Sequence, residues 1–333
     1  MVDVKNNSEV LTDAEAELYD RQIRLWGLDS QKRLRAARIL LVGLNGFGAE
    51  VAKNIILAGV KSVTFLDHKN VSEADTCSQF LVSKTDIGKN RAEASLERAK
   101  KLNPMVEIVA EPADIDSKSV TFYSDFDVVC ATECTISQLI KINTACRDHA
   151  IKFFCGDVWG TFGYTFADLG VHEFVEDVVQ TKKKPRTDIG ESANLKEKIE
   201  SSTNAVKRTE IFVPFEQILN EKNIPKDSEM YYLMQIMLNY REIYGKDPLP
   251  TERDSQNLVD EALAVISENN LDESIKNLIK GDLYAQISPV CAIVGGVMGQ
   301  EIIKAVSQKE APHNNLFLFD PDTHCGKILR LGH

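Results

Sequence analysis

Residues Arg38-Ile39-Leu40-Leu41-Val42-Gly43-Leu44-Asn45-Gly46-Phe47-Gly48-Ala49-Glu50 constrain the fold more than any other stretch of this chain. The aliphatic run Ile39–Val42 reads as a strand buried on both faces, the kind found in parallel sheets. Three glycines follow, and then Val51, Ile55, Ile56 and Gly59 at helical spacing. A strand, a tight glycine turn and a helix N-terminus bring backbone N–H groups and the helix dipole to bear on one point, where a phosphate is stabilised. The glycine order is G-x-x-G-x-G, not the G-x-G-x-x-G of dinucleotide binders, so a nicotinamide oxidoreductase fits imperfectly. Glycines that serve only close strand–helix packing account for the same spacing.

Ser62-Val63-Thr64-Phe65-Leu66-Asp67 reads as a second strand ending in an acid. That acid lies about 20 residues past the turn, where a ribose hydroxyl is gripped in nucleotide-binding folds; a turn aspartate ahead of Asn70 is the plainer alternative. A long connection, His68 to Ile87, leaves the end of this strand, and loops of that length usually carry function. A helix follows Gly88-Lys89-Asn90-Arg91 and stops at Asn103-Pro104. Strands at 106–110, 127–131, 151–155 and 163–167, with a helix at 136–149, complete a strand–helix alternation. The pattern predicts an α/β fold with a doubly wound, mostly parallel sheet.

Residues 1–180 form the first part of this Rossmann-like domain. A polar run at 181–210, opening on Lys182-Lys183-Lys184-Pro185-Arg186, has few apolar anchors and reads as a mobile surface insertion. Its basic cluster is either solvated charge or a nuclear localisation signal. Residues 211–283 are dominated by helical patterns, with Met230, Leu233, Met234, Met237 and Leu238 and then Leu258, Ala262, Leu263 and Ile266, making a small helical insertion. Residues 284–333 return to the sheet domain. They hold an apolar helix, Val290 to Val306, whose Gly295, Gly296 and Gly299 give a flat face, and strands at 316–320 and 328–331.

Near the N-terminus, Thr12-Asp13-Ala14-Glu15 is a capping box. The helix beyond it carries Tyr19 to Trp26 and closes at Gly27, with Arg21 and Arg24 on one face. Composition alone makes them a solvated basic face. The net charge of −11 argues against partners that want a basic surface, nucleic acid and membrane among them. The seven cysteines form no C-x-x-C pair, so no metal site is expected, and with a polar N-terminus they read as reduced thiols in the cytoplasm or nucleus.

Taken together, Tyr19-Asp20-Arg21-Gln22-Ile23-Arg24-Leu25-Trp26-Gly27, the glycine turn, Asp67, Gln79-Phe80-Leu81, Asp86-Ile87-Gly88-Lys89 and Val294-Gly295-Gly296…Gln300-Glu301-Ile302 resemble the activating enzymes for ubiquitin and its relatives. The resemblance covers most of the chain and implies a ThiF/MoeB-type adenylation fold. In that family a modifier's C-terminal carboxylate attacks the α-phosphate of ATP, giving an acyl-adenylate and pyrophosphate. The departures from the family pattern matter as much. An Asn-Leu-Asn-Arg run before Gln-Phe-Leu is replaced by Asp75, Thr76, Cys77 and Ser78. A magnesium-holding Asp and its following Asn align with Glu133 and Cys134, and an expected arginine with Gln138. Each loss removes charge that would stabilise polyphosphate. The thioester cysteine is missing too, because Cys291 lies in an apolar helix and reads as a packing residue.

The chain is therefore similar to the small, non-thioester-forming subunits of heterodimeric activating enzymes. Its length, Gly156-Asp157-Val158-Trp159-Gly160, Gly163-Tyr164-Thr165-Phe166 and Pro312-His313-Asn314-Asn315 are similar to the SUMO-pathway version. The resemblance implies an obligate catalytic partner subunit that holds ATP and Mg2+, the modifier SUMO, a transient SUMO-conjugating enzyme, and a location mainly in the nucleus with some in the cytoplasm. It implies that Arg21 reaches the partner's ATP phosphates in trans, with Arg24 in a structural pair. It leaves this chain a degenerate nucleotide site at Gly43, Gly46, Gly48, Asp67 and Lys89, with no tightly bound nucleotide. A subunit for another modifier and a complete homodimeric adenylating enzyme are the alternatives, and Cys77, Ser78, Glu133 and Cys134 speak against the second.

Overall fold

A computed structural model describes residues 11–183, 199–225, 228–253, 256–320 and 323–333. Arg38–Val42 (β1), Ser62–Leu66 (β2), Glu107–Glu111 (β3), Val128–Ala131 (β4) and Lys152–Trp159 (β5) pair in parallel in the order β3-β2-β1-β4-β5. Phe162–Asp168 (β6) runs antiparallel beside β5. Val171–Lys183 (β7) and Ile199–Ile211 (β8) leave the sheet as a separate antiparallel ribbon. Leu316–Asp320 (β9) and Cys325–Leu329 (β10) complete the eight-stranded sheet beyond β6. Strand order reverses between β1 and β4, and open α/β sheets bind ligands at the carboxyl ends of strands at such a point.

The helices are Asp13–Leu18 (α1), Asp20–Trp26 (α2), Leu28–Ala36 (α3), Gly46–Ala58 (α4), Asp75–Ser78 (α5), Arg91–Leu102 (α6), Ile136–Asp148 (α7), Phe215–Leu219 (α8), Glu229–Tyr244 (α9), Asn257–Asn269 (α10) and Ser288–Ser307 (α11). Alternation along the strands feeds two cores. Ile39 and Leu41 pack with α3, α4, α6 and α11, whereas Leu40 and Val42 pack with α7 to α10. The helical segment between the ribbon and α11 thus covers the second face of the sheet.

α11 is long and apolar enough to cross a membrane by length and composition, yet 56% of its apolar window is buried inside the fold. Gly295 and Gly299 let it lie on α4: a Cβ at those positions would come within 2.7 Å of Glu50 Cβ and 2.6 Å of Asn54 Cβ. Gly296 faces open space, so the flat glycine face is divided between core and surface.

Several elements differ from expectation: the last strand, expected at 328–331, is Cys325–Leu329, and the first helix divides at Tyr19. β5 runs on to Trp159, absorbing Gly156-Asp157, because β6 pairs with it from Phe153 to Trp159. Residues 199–210, expected to belong to a mobile polar insertion, are instead β-paired with 172–183. The ribbon buries His172 and Phe174 at its base, but on β8 residues 204–209 are all exposed, so no alternation is required there and composition conceals the strand. Cross-strand ion pairs, Lys207–Glu173 and Arg208–Glu176, both at 2.7 Å, join its arms. Residues 184–198, with most of the basic cluster, lie outside the described residues.

Candidate functional site

The glycine turn sits at the carboxyl end of β1, at the reversal of strand order. Gly43 has φ +79°, and a Cβ there would overlap Thr132 Oγ1 and lie 2.7 Å from the Thr132 carbonyl oxygen. Gly46 is backed by Ser78 and Gln286, and Gly48 by the carbonyl of Gly43. Gly43→Ala therefore meets backbone as well as a left-handed conformation, and is expected to cost about 2–4 kcal/mol in a denaturant melt.

Three of the turn's N–H groups, which an anion would need, are already taken. Asn45 Oδ1 accepts from Gly48 N at 2.8 Å, capping α4. Asp67 Oδ2 accepts from Leu44 N at 2.7 Å, and Gln286 Oε1 from Phe47 N at 3.3 Å. Asp67, expected at a ribose, also accepts from Lys69 N at 2.9 Å and Arg91 Nε at 2.6 Å. Gln79 is structural as well, donating to Leu44 O at 3.1 Å and Ser95 Oγ at 2.9 Å.

Arg91 fills the centre of this site. It is the first residue of α6 and is 3% exposed. Beyond Asp67, it donates to Asp75 at 3.0 Å through Nη1 and to Glu133 through Nη2. Burial opposes the charge on Arg91, but Glu133, Asp67 and Asp75 together hold it protonated. Burial pushes the Glu133 carboxyl up, and Arg91 with Lys69, 3.5 Å away, overrides this and pulls it down to about 2. Three carboxylates thus surround two cations beside a cavity of about 300 Å3 lined by Asn45, Lys69, Ser78, Trp159 and Gln286. These residues do not fit a triphosphate: the carboxylates repel it, and Arg91 and the Leu44, Phe47 and Gly48 N–H groups are already engaged. Among the described residues, no group of three or more His, Cys, Asp or Glu is arranged to hold a metal ion.

Gly43, Gly46, Gly48 and Asp67 come together as expected, but Lys89 does not join them. It is exposed and pairs with Asp86 at 2.8 Å, because the turn at Gly88 directs it outward. The cations at the site are Lys69 and Arg91. A cation in the first turn of a helix works against the helix dipole, and that misplacement was the available sign that Arg91 answers to buried acids. Glu133 holds a cation, the guanidinium of Arg91. Gln138 caps α7 and donates to Asp116 at 2.8 Å.

A second network anchors the helical segment over the same strand ends. Arg241 on α9 donates to Asp157 at 2.7 Å, to Cys134 O at 3.1 Å and to both oxygens of Asp247, and lies 5.1 Å from the Trp159 ring centroid. Asp157 in turn accepts from Glu133 N at 3.0 Å, so the two ionic clusters share one loop.

α2 is fixed by its inner face. Tyr19 is buried in space that Gly59 leaves open, and its hydroxyl accepts from Asn103 Nδ2 at 2.9 Å. Gln22 donates to Leu57 O at 3.1 Å, and Trp26 to Gln31 at 3.0 Å. Arg24 makes its structural pair, with Asp20 at 2.9 Å. Arg21 is exposed and has no hydrogen bond or ion pair among the described residues. Leu25, on the same helix, is 75% exposed. Cys291 is buried, and burial pushes its thiol up to about 12, as a packing cysteine requires.

A parallel sheet with a reversal point, a G-x-x-G-x-G turn and an acid closing the second strand define a nucleotide-type α/β domain. The ThiF family model matches residues 19–331, and the chain belongs to this family. Its relatives include the SUMO-activating enzyme subunit 1 of Xenopus laevis, 45% identical over 99% of both chains, and that of Homo sapiens, 43% identical over 96% of both. The crystal structure of SeMet PaaA shares the fold at TM-score 0.59 and 15% identity, covering 99% of this chain and 78% of that one.

Proposed function

We propose that this chain is the partner subunit of a heterodimeric SUMO-activating enzyme. It supports ATP-dependent adenylation of SUMO in the site of a catalytic subunit, which also forms the thioester. The observation that carries this reading is Arg91, held by Asp67, Asp75 and Glu133 where a nucleotide's phosphates would sit. A fold of this family with its own site closed in this way contributes through another surface. Full-length similarity to SUMO-activating enzyme subunit 1 supports SUMO as the modifier.

Arg21 is the residue offered outward, and its planar, permanently charged fork suits phosphate oxygens. A groove of about 340 Å3 lined by Leu25, Trp26, Gly296, Ile303 and Lys304 supports docking of the catalytic subunit on this face. ATP and Mg2+ then belong to that subunit's site, and the SUMO-conjugating enzyme meets the assembly transiently. The basic cluster from Lys182 supports a mainly nuclear location.

Titration calorimetry of MgATP into the purified chain tests the closed site. No saturable binding is expected. Micromolar binding would instead favour a complete homodimeric adenylating enzyme.

A further inference from the structure

A cavity of about 470 Å3 lies at the opposite end of the strands from the glycine turn, where β5 begins and α7 ends, at the base of the β7–β8 ribbon. Arg147, Lys152, Asp168, His172, Glu173 and Gln308 are among its lining residues. None of them belongs to the site described above.

The acids at this cavity are already committed. Asp168 accepts from Arg147 Nη1 at 2.7 Å through both oxygens, from Asn143 at 2.8 Å and from Gly170 N at 3.0 Å. Glu173 pairs with Lys207 at 2.7 Å. Asp127, which acts on Lys152 from β4's side, accepts from Arg38 N at 2.8 Å.

The donors are not all committed. Every side-chain hydrogen bond of Arg147 runs through Nη1, leaving Nε and Nη2 without a partner among the described residues. Lys152 has no side-chain hydrogen bond and no carboxylate within 4 Å among them, and burial lowers its pKa. His172 is 3% exposed and its Nε2 has no partner. Burial, with Lys152 nearby, brings the ring down to about 4, so it is neutral at pH 7 with one N–H to give.

We propose that this cavity binds a phosphate group, held by the Lys152 ammonium and the unused edge of the Arg147 guanidinium. An arginine fork and a point-charge lysine approaching from different elements suit a tetrahedral oxyanion better than a planar carboxylate. The C-terminus of α7 opposes an anion with about half a charge. Lys152 outweighs it with an ammonium that feels Asp127 at longer range but has no carboxylate within 4 Å among the described residues. The group is either free phosphate or a phosphate monoester.

Calorimetry on the full chain at constant ionic strength, with orthophosphate and with O-phosphoserine, is the test. Saturable one-to-one binding is expected, weakened at least tenfold in Lys152→Gln and unchanged in Lys101→Gln, an exposed lysine on α6. The His172 ring resonances of the unmodified protein should shift along the same titration, a readout that does not depend on any variant folding. Tighter binding of orthophosphate assigns the free ion, and tighter binding of O-phosphoserine assigns a monoester. Absence of saturable binding by both, binding undiminished in a folded Lys152→Gln, or unmoved His172 resonances would overturn the proposal.

Discussion

Replacing Arg21 by alanine is expected to slow SUMO adenylation by about 10^2–10^3-fold once the chain is assembled with its catalytic partner, the cost of losing one positioned donor to developing charge. The expectation starts from α2. Tyr19, Gln22 and Trp26 spend their hydrogen bonds fixing the helix, and Arg24 spends its charge on Asp20. Arg21 makes none of these contacts, so its truncation should change the chain's own stability by no more than about 0.5 kcal/mol. Single-turnover adenylation and size-exclusion chromatography separate the two effects. Arg21→Lys should recover part of the rate, because charge survives where the fork is lost. A full adenylation rate in Arg21→Ala would remove Arg21 from the reaction, and a dissociated heterodimer would make its role one of assembly.

The second large effect is structural. Arg91→Ala leaves Asp67, Asp75 and Glu133 facing one another with Lys69 as the remaining cation in the cluster. Breaking a buried ionic cluster from one side costs about 3–5 kcal/mol, a fall in Tm on the order of 10 °C for a chain of this size. The pH dependence carries the signature. In the unmodified protein Glu133 titrates at about 2, below its ordinary value of 4.5. Its contribution to stability is therefore fully present above about pH 4.5 and is lost as pH falls towards 2. In Arg91→Ala the push of burial on Glu133 loses its main opponent, so acidification from pH 8 towards 4.5 should recover stability instead of leaving it unchanged. Arg91→Met combined with Asp67→Asn, Asp75→Asn and Glu133→Gln should restore most of the loss, since a neutral cluster carries no desolvated charge. Thermal melts of the two variants between pH 4 and 8 check both points. A flat profile in Arg91→Ala would mean that the cluster is solvated.

The sequence carried the sheet domain clearly because its strands are buried and apolar. Ile39–Val42 and Leu316–Asp320 stand out for that reason, and the switch to helical spacing after Gly48 marks α4. The ribbon was not legible: residues 204–209 are all exposed, so no apolar alternation marks the strand. The candidate site was half legible. Gly43, Gly46, Gly48 and Asp67 are fixed by the local geometry of strand and turn, which spacing records. Lys89 and Arg91 are two residues apart at the start of one helix, and spacing alone does not say which of them turns inward. Three acids distant in sequence, Asp67, Asp75 and Glu133, decide it, and their meeting is a consequence of the strand order.

SUMO-dependent ATP–pyrophosphate exchange, run with this chain alone and then with the catalytic subunit of a SUMO-activating enzyme added, tests the division of labour most directly. Silence alone and exchange on mixing are the expected results, because Arg91 and its three carboxylates fill the chain's own site and the contribution proposed for it is made across an interface. Exchange by the chain alone would contradict that division and make it an adenylating enzyme in its own right.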